Sequence, residues 1–134
     1  MISGIGTDLL KMSEIPAASL AEGDPFYEKI YTGEEKRQAA ASTDRENWLR
    51  RRFAAKEAVF KALGEDPDTA RICEIEVLDD ELGAPHVVLH GTLLARARER
   101  GTKEVLISLS SDAEYALAFA AAQTQASPMK GKDE

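Results

Sequence analysis

The chain has 134 residues, which is enough for one domain with an ordinary hydrophobic core and no disulfides. Its net charge of −7 argues against a general nucleic-acid binder. No apolar run of about 18 residues occurs, and the chain does not start with a basic segment followed by an apolar stretch. We therefore expect a cytoplasmic protein that binds no membrane.

The first part of the chain predicts one strand and three short helices. Residues 2–10 combine β-branched and aliphatic residues with two glycines, which is typical of a strand. A helix is predicted over residues 13–20, with Ser13 or its neighbour as the cap and a proline in its first turn. The Asp-Pro pair at 24–25 opens a helix to residue 30, and the capping box at 32–35 opens another to about residue 41.

The longest helix is predicted over residues 44–63, where Gly64 provides a C-terminal stop. Apolar residues recur at helical spacing along one stripe of this helix, and others cover a second side. The two sets are Leu49, Phe53, Phe60 and Leu63, and Trp48, Ala55, Val59 and Ala62. A helix that is apolar on two sides is deeply embedded or lies at a subunit interface.

Beyond Gly64 the sequence predicts four strands and one more helix. These are strands at 72–78 and 86–90 around a turn at 79–85, a helix at 91–100, and hairpin strands at 105–110 and 115–122. The predicted class is α+β, with an antiparallel sheet and one long helix across it. Residues 1–122 form the predicted domain, and the polar segment 123–134 predicts a disordered tail.

Positive charge is concentrated in the long helix. Between residues 45 and 61, six basic residues stand against two acidic ones, a net of +4, and the rest of the chain carries −11. On a helical wheel, Arg50 lies two turns before Glu57 and Lys61 one turn after it. Two cations around a carboxylate suit phosphate and metal-bound phosphate. The alternative is a simple ion pair between Glu57 and Lys61 on a solvated face.

Asp8 ends the first predicted strand, which contains Gly4 and Gly6. An aspartate in this position often only forms a turn or caps a helix. Magnesium, however, takes one or two protein carboxylates together with phosphate oxygens and water. Asp8 and Glu57 could supply that pair if the strand and the helix meet, which the sequence alone leaves open.

Cysteine and histidine give weaker indications. Cys73 is the single cysteine, so no disulfide is expected, and we interpret it as a small hydrophobe on a strand rather than a reactive thiol. His86 and His90 lie four residues apart on one predicted strand face. Because no third ligand lies nearby in sequence, we interpret them as solvent-facing or core-edge side chains.

Two segments resemble the signatures of 4′-phosphopantetheinyl transferases of the holo-acyl-carrier-protein synthase type. Residues 4–8 (GIGTD) are similar to the family's glycine-flanked strand ending in aspartate, and residues 52–58 (RFAAKEA) to its R-F-A-x-K-E-A helix. Lys61 and Gly64 match a lysine and a glycine that follow in the family. The similarity covers about residues 2–122.

The resemblance implies a trimer in which an antiparallel sheet wraps around one long helix, with coenzyme A sites at the subunit interfaces. It implies transfer of 4′-phosphopantetheine from coenzyme A to a serine of an apo acyl carrier protein or related carrier domain, leaving 3′,5′-ADP. Such carriers serve fatty acid, lipid or polyketide biosynthesis.

The resemblance also implies roles for individual residues. Asp8 and Glu57 would bind Mg²⁺ that holds the coenzyme A pyrophosphate, and Glu57 or a metal-held water would help to remove the serine proton. Lys61 would stabilise or protonate the leaving phosphate. Arg52 and Lys56 would support the position of the phosphate or of the helix. Further contacts to coenzyme A are implied for Lys61, Gly64, Pro85, Ser110 and Asp112.

The sequence departs from the family pattern at the site and in the first helix. Ser111 stands where the family has a histidine, so a nucleotide or proton-handling contact is missing, and Leu106 stands in place of a second histidine. The family's first helix is basic and docks an acidic carrier, but here it is net negative. Its charged residues are Lys11, Glu14, Glu22 and Asp24.

Three hypotheses follow. The first is an active transferase for a specialised carrier. The second is a catalytically weakened homologue that binds coenzyme A or a carrier without efficient turnover. The third is a trimeric structural protein in which Glu57 and Lys61 only pair. Mg²⁺-dependent binding of coenzyme A separates the first two from the third, and product formation separates the first from the second.

Overall fold

The computed structural model describes residues 1–125 of the chain. The helices and strands are, in order, β1 (Ile2–Lys11), α1 (Pro25–Ile30), α2 (Gly33–Ala41), α3 (Arg45–Leu63), β2 (Ile75–Asp79), β3 (Pro85–Leu89), α4 (Gly91–Glu99), β4 (Thr102–Ser111) and β5 (Tyr115–Thr124). Short 3₁₀ turns occupy Met12–Glu14, Ala17–Leu20 and Ile72–Glu74. None of the helices in this described part has the length and apolar character needed to cross a membrane.

Two antiparallel sheets surround the long helix α3. The larger has three strands in the order β1-β5-β4, and the smaller is the β2-β3 hairpin. Along β5 the inward residues are small, because alanines alternate with larger outward side chains. These buried residues are Ala116, Ala118, Ala120 and Ala122. Small side chains let α3 pack close to the sheet, and the predicted α+β class with a long helix against an antiparallel sheet is confirmed.

The helix caps follow from the sequence as predicted. The Asp24 side chain accepts the N–H of Phe26 at the start of α1. Thr32 and Glu35 form the capping box of α2. α3 ends at Gly64, whose φ of 67° lies in the left-handed region that a residue with a Cβ rarely adopts.

Three predicted elements are wrong in detail. Residues 13–20 form two 3₁₀ turns rather than one helix, because Pro16 forces extended backbone between them. The segment 72–74 is a 3₁₀ turn before β2, so Cys73 is half-buried in a turn and not on a strand. β5 continues to Thr124, which pairs with Thr102, so the predicted end of this strand at residue 122 is two residues too early. The predicted tail from residue 126 onward lies outside the described residues.

Both sides of α3 are covered within one protomer. Leu49, Ala54, Ala58 and Val59 have no exposed surface. The three-stranded sheet packs on one side of α3, and α2 and β2 contact another. Of the two alternatives for this helix, the structure shows the deeply embedded one, because the apolar pattern reflects a central helix.

The uncovered apolar surface is instead the outer face of the three-stranded sheet. Ile5 and Leu9 of β1 are 63% and 64% exposed, and large side chains of β4 and β5 stand beside them. These are Leu106, Leu117 and Phe119. The strand register places Leu9 next to Leu117, so the patch is continuous across the sheet. Contiguous apolar patches of this kind mark interaction surfaces.

Candidate active site

Two glycines bring β1 against the backbone of α3. A Cβ placed on Gly4 would lie 2.1 Å from the carbonyl oxygen of Ala62, and one placed on Gly6 would lie 2.2 Å from that of Ala58. Both distances are far below van der Waals contact, so only glycine fits. The close approach carries Asp8, two residues further along β1, to the side of α3.

Asp8, Glu57 and Lys61 form a charged cluster where β1 meets α3. Lys61 Nζ lies 3.3 Å from Asp8 Oδ1 and donates to the carbonyl of Thr7 at 3.0 Å. The Asp8 side chain is 17% exposed, whereas that of Lys61 is 52% exposed. The strand and the helix therefore meet, and the cluster lies at the protein surface.

The electrostatics of this cluster are unbalanced. Burial raises the pKa of Glu57, the nearby Asp8 carboxylate raises it further, and Lys61 opposes both effects. Two carboxylates thus share a single cation, and one of them is partly desolvated. Such an arrangement favours the binding of a further positive charge.

A mostly apolar groove of about 670 Å³ opens beside Glu57. Phe53 and Phe60 of α3 form one wall, and the end of α1 forms another. Residues 67–73, between α3 and β2, close the groove, and Cys73 lies among them. The two phenylalanines were predicted only as part of a core stripe, because periodicity does not distinguish a packed face from a groove wall.

Arg52 lies in a second, smaller pocket of about 300 Å³. Its Nη2 lies 2.9 Å from Asp79 Oδ1, and its guanidinium lies 4.0 Å from the centre of the Trp48 ring. Its Nε and Nη1 atoms are buried and have no hydrogen-bond partner among residues 1–125. Pro85 and Ser110 line the same pocket. Unpaired buried donors on a guanidinium are suited to an anion or another acceptor.

The structure does not bring this pocket and the charged cluster together within one chain. Arg52 and Glu57 are five residues apart on α3, which places them about 140° apart around the helix. Asp8 faces α3, whereas Ser110 shares the outer sheet face with Leu9 and Leu117. The predicted site residues therefore fall into two groups on different sides of the protomer.

Three other predicted site residues have clear structural roles. Lys56 has no exposed surface, and its Nζ lies 2.6 Å from Glu35 Oε1. Of the two roles that the resemblance implied, support of the phosphate or of the helix, the geometry favours support of the helix. Gly64 ends α3 with positive φ. Asp112 accepts the N–H groups of Glu114 and Tyr115, which lowers the pKa of its carboxyl group and fixes the β4-β5 turn.

Several arginine and histidine contacts could not be read from the sequence. Arg50, expected beside Glu57, donates instead to the carbonyl of Ile15. Arg45 donates to the carbonyl of Leu20. His86 and His90 are exposed, as predicted, and His90 Nε2 lies 2.9 Å from Glu76 Oε1. Asp79, the partner of Arg52, was assigned only to a turn, because the pairing depends on the tertiary fold.

The fold and the two groups of residues define a class of protein. The sequence model of the 4′-phosphopantetheinyl transferase superfamily matches residues 4–120, so the chain belongs to that superfamily.

Individual relatives narrow the resemblance to one type within the superfamily. The chain is 38% identical to the holo-[acyl-carrier-protein] synthase of Halorhodospira halophila over 120 residues, covering 89% of this chain and 95% of that protein. It is 42% identical to the protein of the same name from Dehalococcoides mccartyi over 118 residues, covering 88% and 96%.

Solved structures agree with the sequence relatives. The holo-[acyl-carrier-protein] synthase of Neisseria meningitidis superposes with a TM-score of 0.81 at 34% identity, covering 92% of this chain and all of that one. The ACPS–CoA complex of Chronobacterium ammoniagenes superposes with a TM-score of 0.79 at 30% identity, covering 92% and 98%. The predicted holo-acyl-carrier-protein synthase type is confirmed.

Proposed function

We propose that this chain transfers 4′-phosphopantetheine from coenzyme A to a serine of an apo carrier protein and releases 3′,5′-ADP. The observation that carries the proposal is the Asp8, Glu57 and Lys61 cluster, placed by β1 and α3 in a chain whose relatives are holo-[acyl-carrier-protein] synthases. An acyl carrier protein or related carrier domain is the expected partner, in the reducing cytoplasm that suits a single cysteine.

Asp8 and Glu57 would hold a Mg²⁺ ion. The donor set fits, because two carboxylates in a partly buried place favour an added cation, and Mg²⁺ completes its shell with phosphate oxygens and water. Within residues 1–125 no group of three or more His, Cys, Asp or Glu side chains forms a closed metal site, so oxygens of water or substrate would complete the shell of the metal. When bound, the metal would neutralise the coenzyme A pyrophosphate and polarise its β-phosphorus.

Side chains of the protein would carry out the proton transfer and stabilise the leaving group. The serine oxygen attacks the β-phosphorus while the bond to 3′,5′-ADP breaks. Glu57, or a water held by the metal, would receive the serine proton. The half-exposed Lys61 ammonium would stabilise the charge that develops on the leaving phosphate. The groove beside Glu57 would take the extended pantetheine arm.

A homotrimer would unite the two groups of site residues. The outer sheet face is apolar and exposed in the protomer, and it carries Ser110. If this face packs against neighbouring subunits, Arg52, Pro85 and Ser110 of one subunit approach Asp8 and its cluster in another. The coenzyme A nucleotide would then lie between subunits, and Lys56, Gly64 and Asp112 would support the site from within each subunit.

Intact-mass analysis of a carrier protein tests the proposed function. An apo acyl carrier protein incubated with coenzyme A, Mg²⁺ and this protein should gain the mass of one phosphopantetheinyl group. A carrier whose target serine is replaced by alanine is the matched control and should gain nothing. No mass gain from a protein that still binds coenzyme A would favour the catalytically weakened homologue instead.

A further inference from the structure

A fully buried ion pair lies one residue from Glu57. Neither Lys56 nor Glu35 has exposed side-chain surface, and their charged atoms are 2.6 Å apart. Burial lowers the pKa of Lys56, and the Glu35 carboxylate opposes that effect. A buried ion pair is often no more stabilising than apolar side chains of the same volume. Stability alone therefore does not explain a charged pair here.

The atoms of this pair bond to the backbone of several elements. Lys56 Nζ donates to the carbonyl of Ile30, the last residue of α1, at 2.6 Å. Glu35 Oε2 accepts the N–H of Val77 in β2 at 2.8 Å, and Oε1 accepts that of Thr32 at 3.0 Å. One ion pair thus fastens α1, α2, α3 and β2 together.

The fastened elements are walls of the groove beside Glu57. Ile30, whose carbonyl Lys56 binds, lines the groove at the end of α1. Glu57 and Phe60 line it from α3, and Ile72 lines it from the segment that leads into β2. The buried pair therefore ties the end of α1 to α3 and to β2 beside the groove.

We propose that Glu35 and Lys56 are positioning residues that fix the width of this groove and thereby the affinity for coenzyme A. The inference rests on the proposed placement of the pantetheine arm in the groove. Neither side chain lines the groove in the described structure, so both act through the walls that they hold. A neutral pair of the same volume would fill the core but would not hold the Ile30 carbonyl in place.

Steady-state kinetics of the full-length protein tests this role. The Glu35→Gln/Lys56→Met double variant removes both charges with little change in volume, so no single buried charge is left unpaired. We expect a folded protein with a KM for coenzyme A about tenfold higher. The kcat should stay within about threefold, and the KM for the carrier should not change.

A second double variant, Glu34→Gln/Arg37→Met, is the matched control. It removes an exposed ion pair from the same helix, and it should leave both KM values unchanged. An unchanged KM for coenzyme A in the folded Glu35→Gln/Lys56→Met variant would show that the buried pair only supports the core. A fall in kcat at unchanged KM would place the pair in the chemical step and overturn the proposal as well.

Glu35→Asp covers the case in which the first double variant does not fold. It keeps both charges and shortens the carboxylate by one methylene, so the groove walls shift and the KM for coenzyme A should again rise. An unchanged KM in this variant would equally overturn the proposal. The assays use whichever divalent cation supports turnover of the unmodified protein. A failure of the Mg²⁺ assignment, or of the transferase activity itself, then appears in the unmodified protein and is distinct from a failure of the positioning role.

Discussion

On one side of α3, Lys56 is enclosed by protein, and its charge is balanced by Glu35 and by the carbonyl of Ile30. On another side, the next residue, Glu57, faces the Asp8 carboxylate, with the half-exposed Lys61 as the nearby cation. The charge of Lys56 is balanced within the chain, whereas the cluster around Glu57 has an excess of negative charge. Lys56 and Glu57 are adjacent in sequence, but the first lies in a balanced buried ion pair and the second in a surface cluster with unbalanced charge.

The difference agrees with the binding role that we propose for the Glu57 region. A buried charge without a partner is strongly destabilising, so the Lys56 region is completed by its own protein groups. A site for a metal and an anionic substrate must keep part of its binding capacity unused until the ligands arrive. The unbalanced Glu57 region is therefore the place where substitutions should affect function more than stability.

The largest expected effect comes from removing either carboxylate of the cluster. Asp8→Ala and Glu57→Ala should each abolish Mg²⁺-dependent coenzyme A binding and lower kcat/KM by a factor on the order of 100 or more, because Mg²⁺ takes few protein ligands. Calorimetric titration with and without Mg²⁺ measures the binding, and circular dichroism confirms the fold. Glu34→Ala, on the surface of α2, is the control. Unchanged coenzyme A binding in either cluster variant would contradict the metal assignment.

The second prediction concerns the outer sheet face. We expect a homotrimer by light scattering at micromolar concentration, since the exposed apolar side chains of β1, β4 and β5 need a partner surface. Leu117→Asp should yield a folded monomer with most of its activity lost, because the Arg52 pocket and the Asp8 cluster lie apart within one chain. A monomeric mass for the unmodified protein, or full activity of a monomeric variant, would contradict the proposal that the site lies between subunits.

Much of this architecture could be predicted from local sequence signals. Capping residues, glycine stops and strand alternation depend on neighbours in the chain, so α1, α2, α3 and β5 were found with small errors at their ends. The predicted helix over residues 13–20 places Pro16 in its first turn, but the backbone beside a proline is pushed out of the helical region. Such errors are local and concern element boundaries.

Tertiary pairings were beyond reach of the same signals. The spacing of residues 52–58 shows that Arg52, Lys56 and Glu57 share a helix, but not that Asp79 binds the first and Glu35 the second. The meeting of Asp8 with the cluster depends on the contact of Gly4 and Gly6 with α3, which an isolated strand pattern does not reveal. Only the resemblance to a family implied that Asp8 and Glu57 lie together, because residue spacing could not show it.

The third prediction concerns carrier docking and is expected to change KM several-fold. Glu14 and Glu22 are exposed, and their carboxylates would repel an acidic carrier. Glu14→Lys with Glu22→Lys should lower the KM for a standard acidic carrier at low salt and much less at high salt. Asp24 is left unchanged, because its side chain caps α1.

Ser111→His is the competing variant. If the missing histidine limits proton handling, this single change should raise kcat on any carrier, with little dependence on salt. We favour the docking explanation, because several separate positions carry negative charge where the family is basic. A large gain from Ser111→His and none from the two lysine substitutions would show that docking is the wrong cause.

The smallest expected effect is on stability, and it tests the imbalance at Glu57 directly. Burial and Asp8 raise the pKa of Glu57 in the folded state, so folding favours its protonated form. The stability associated with this group is fully present below its unfolded pKa and is lost as the pH rises through its folded pKa. Without divalent cations, Glu57→Gln should therefore raise the thermal midpoint at pH 8 by roughly 1–3 °C, and the gain should vanish near pH 4.

Thermal melts at both pH values measure the difference, with Glu34→Gln as the exposed control. A lower midpoint for Glu57→Gln at pH 8 would mean that Lys61 already compensates Glu57, and that the two regions of α3 do not differ in the way described.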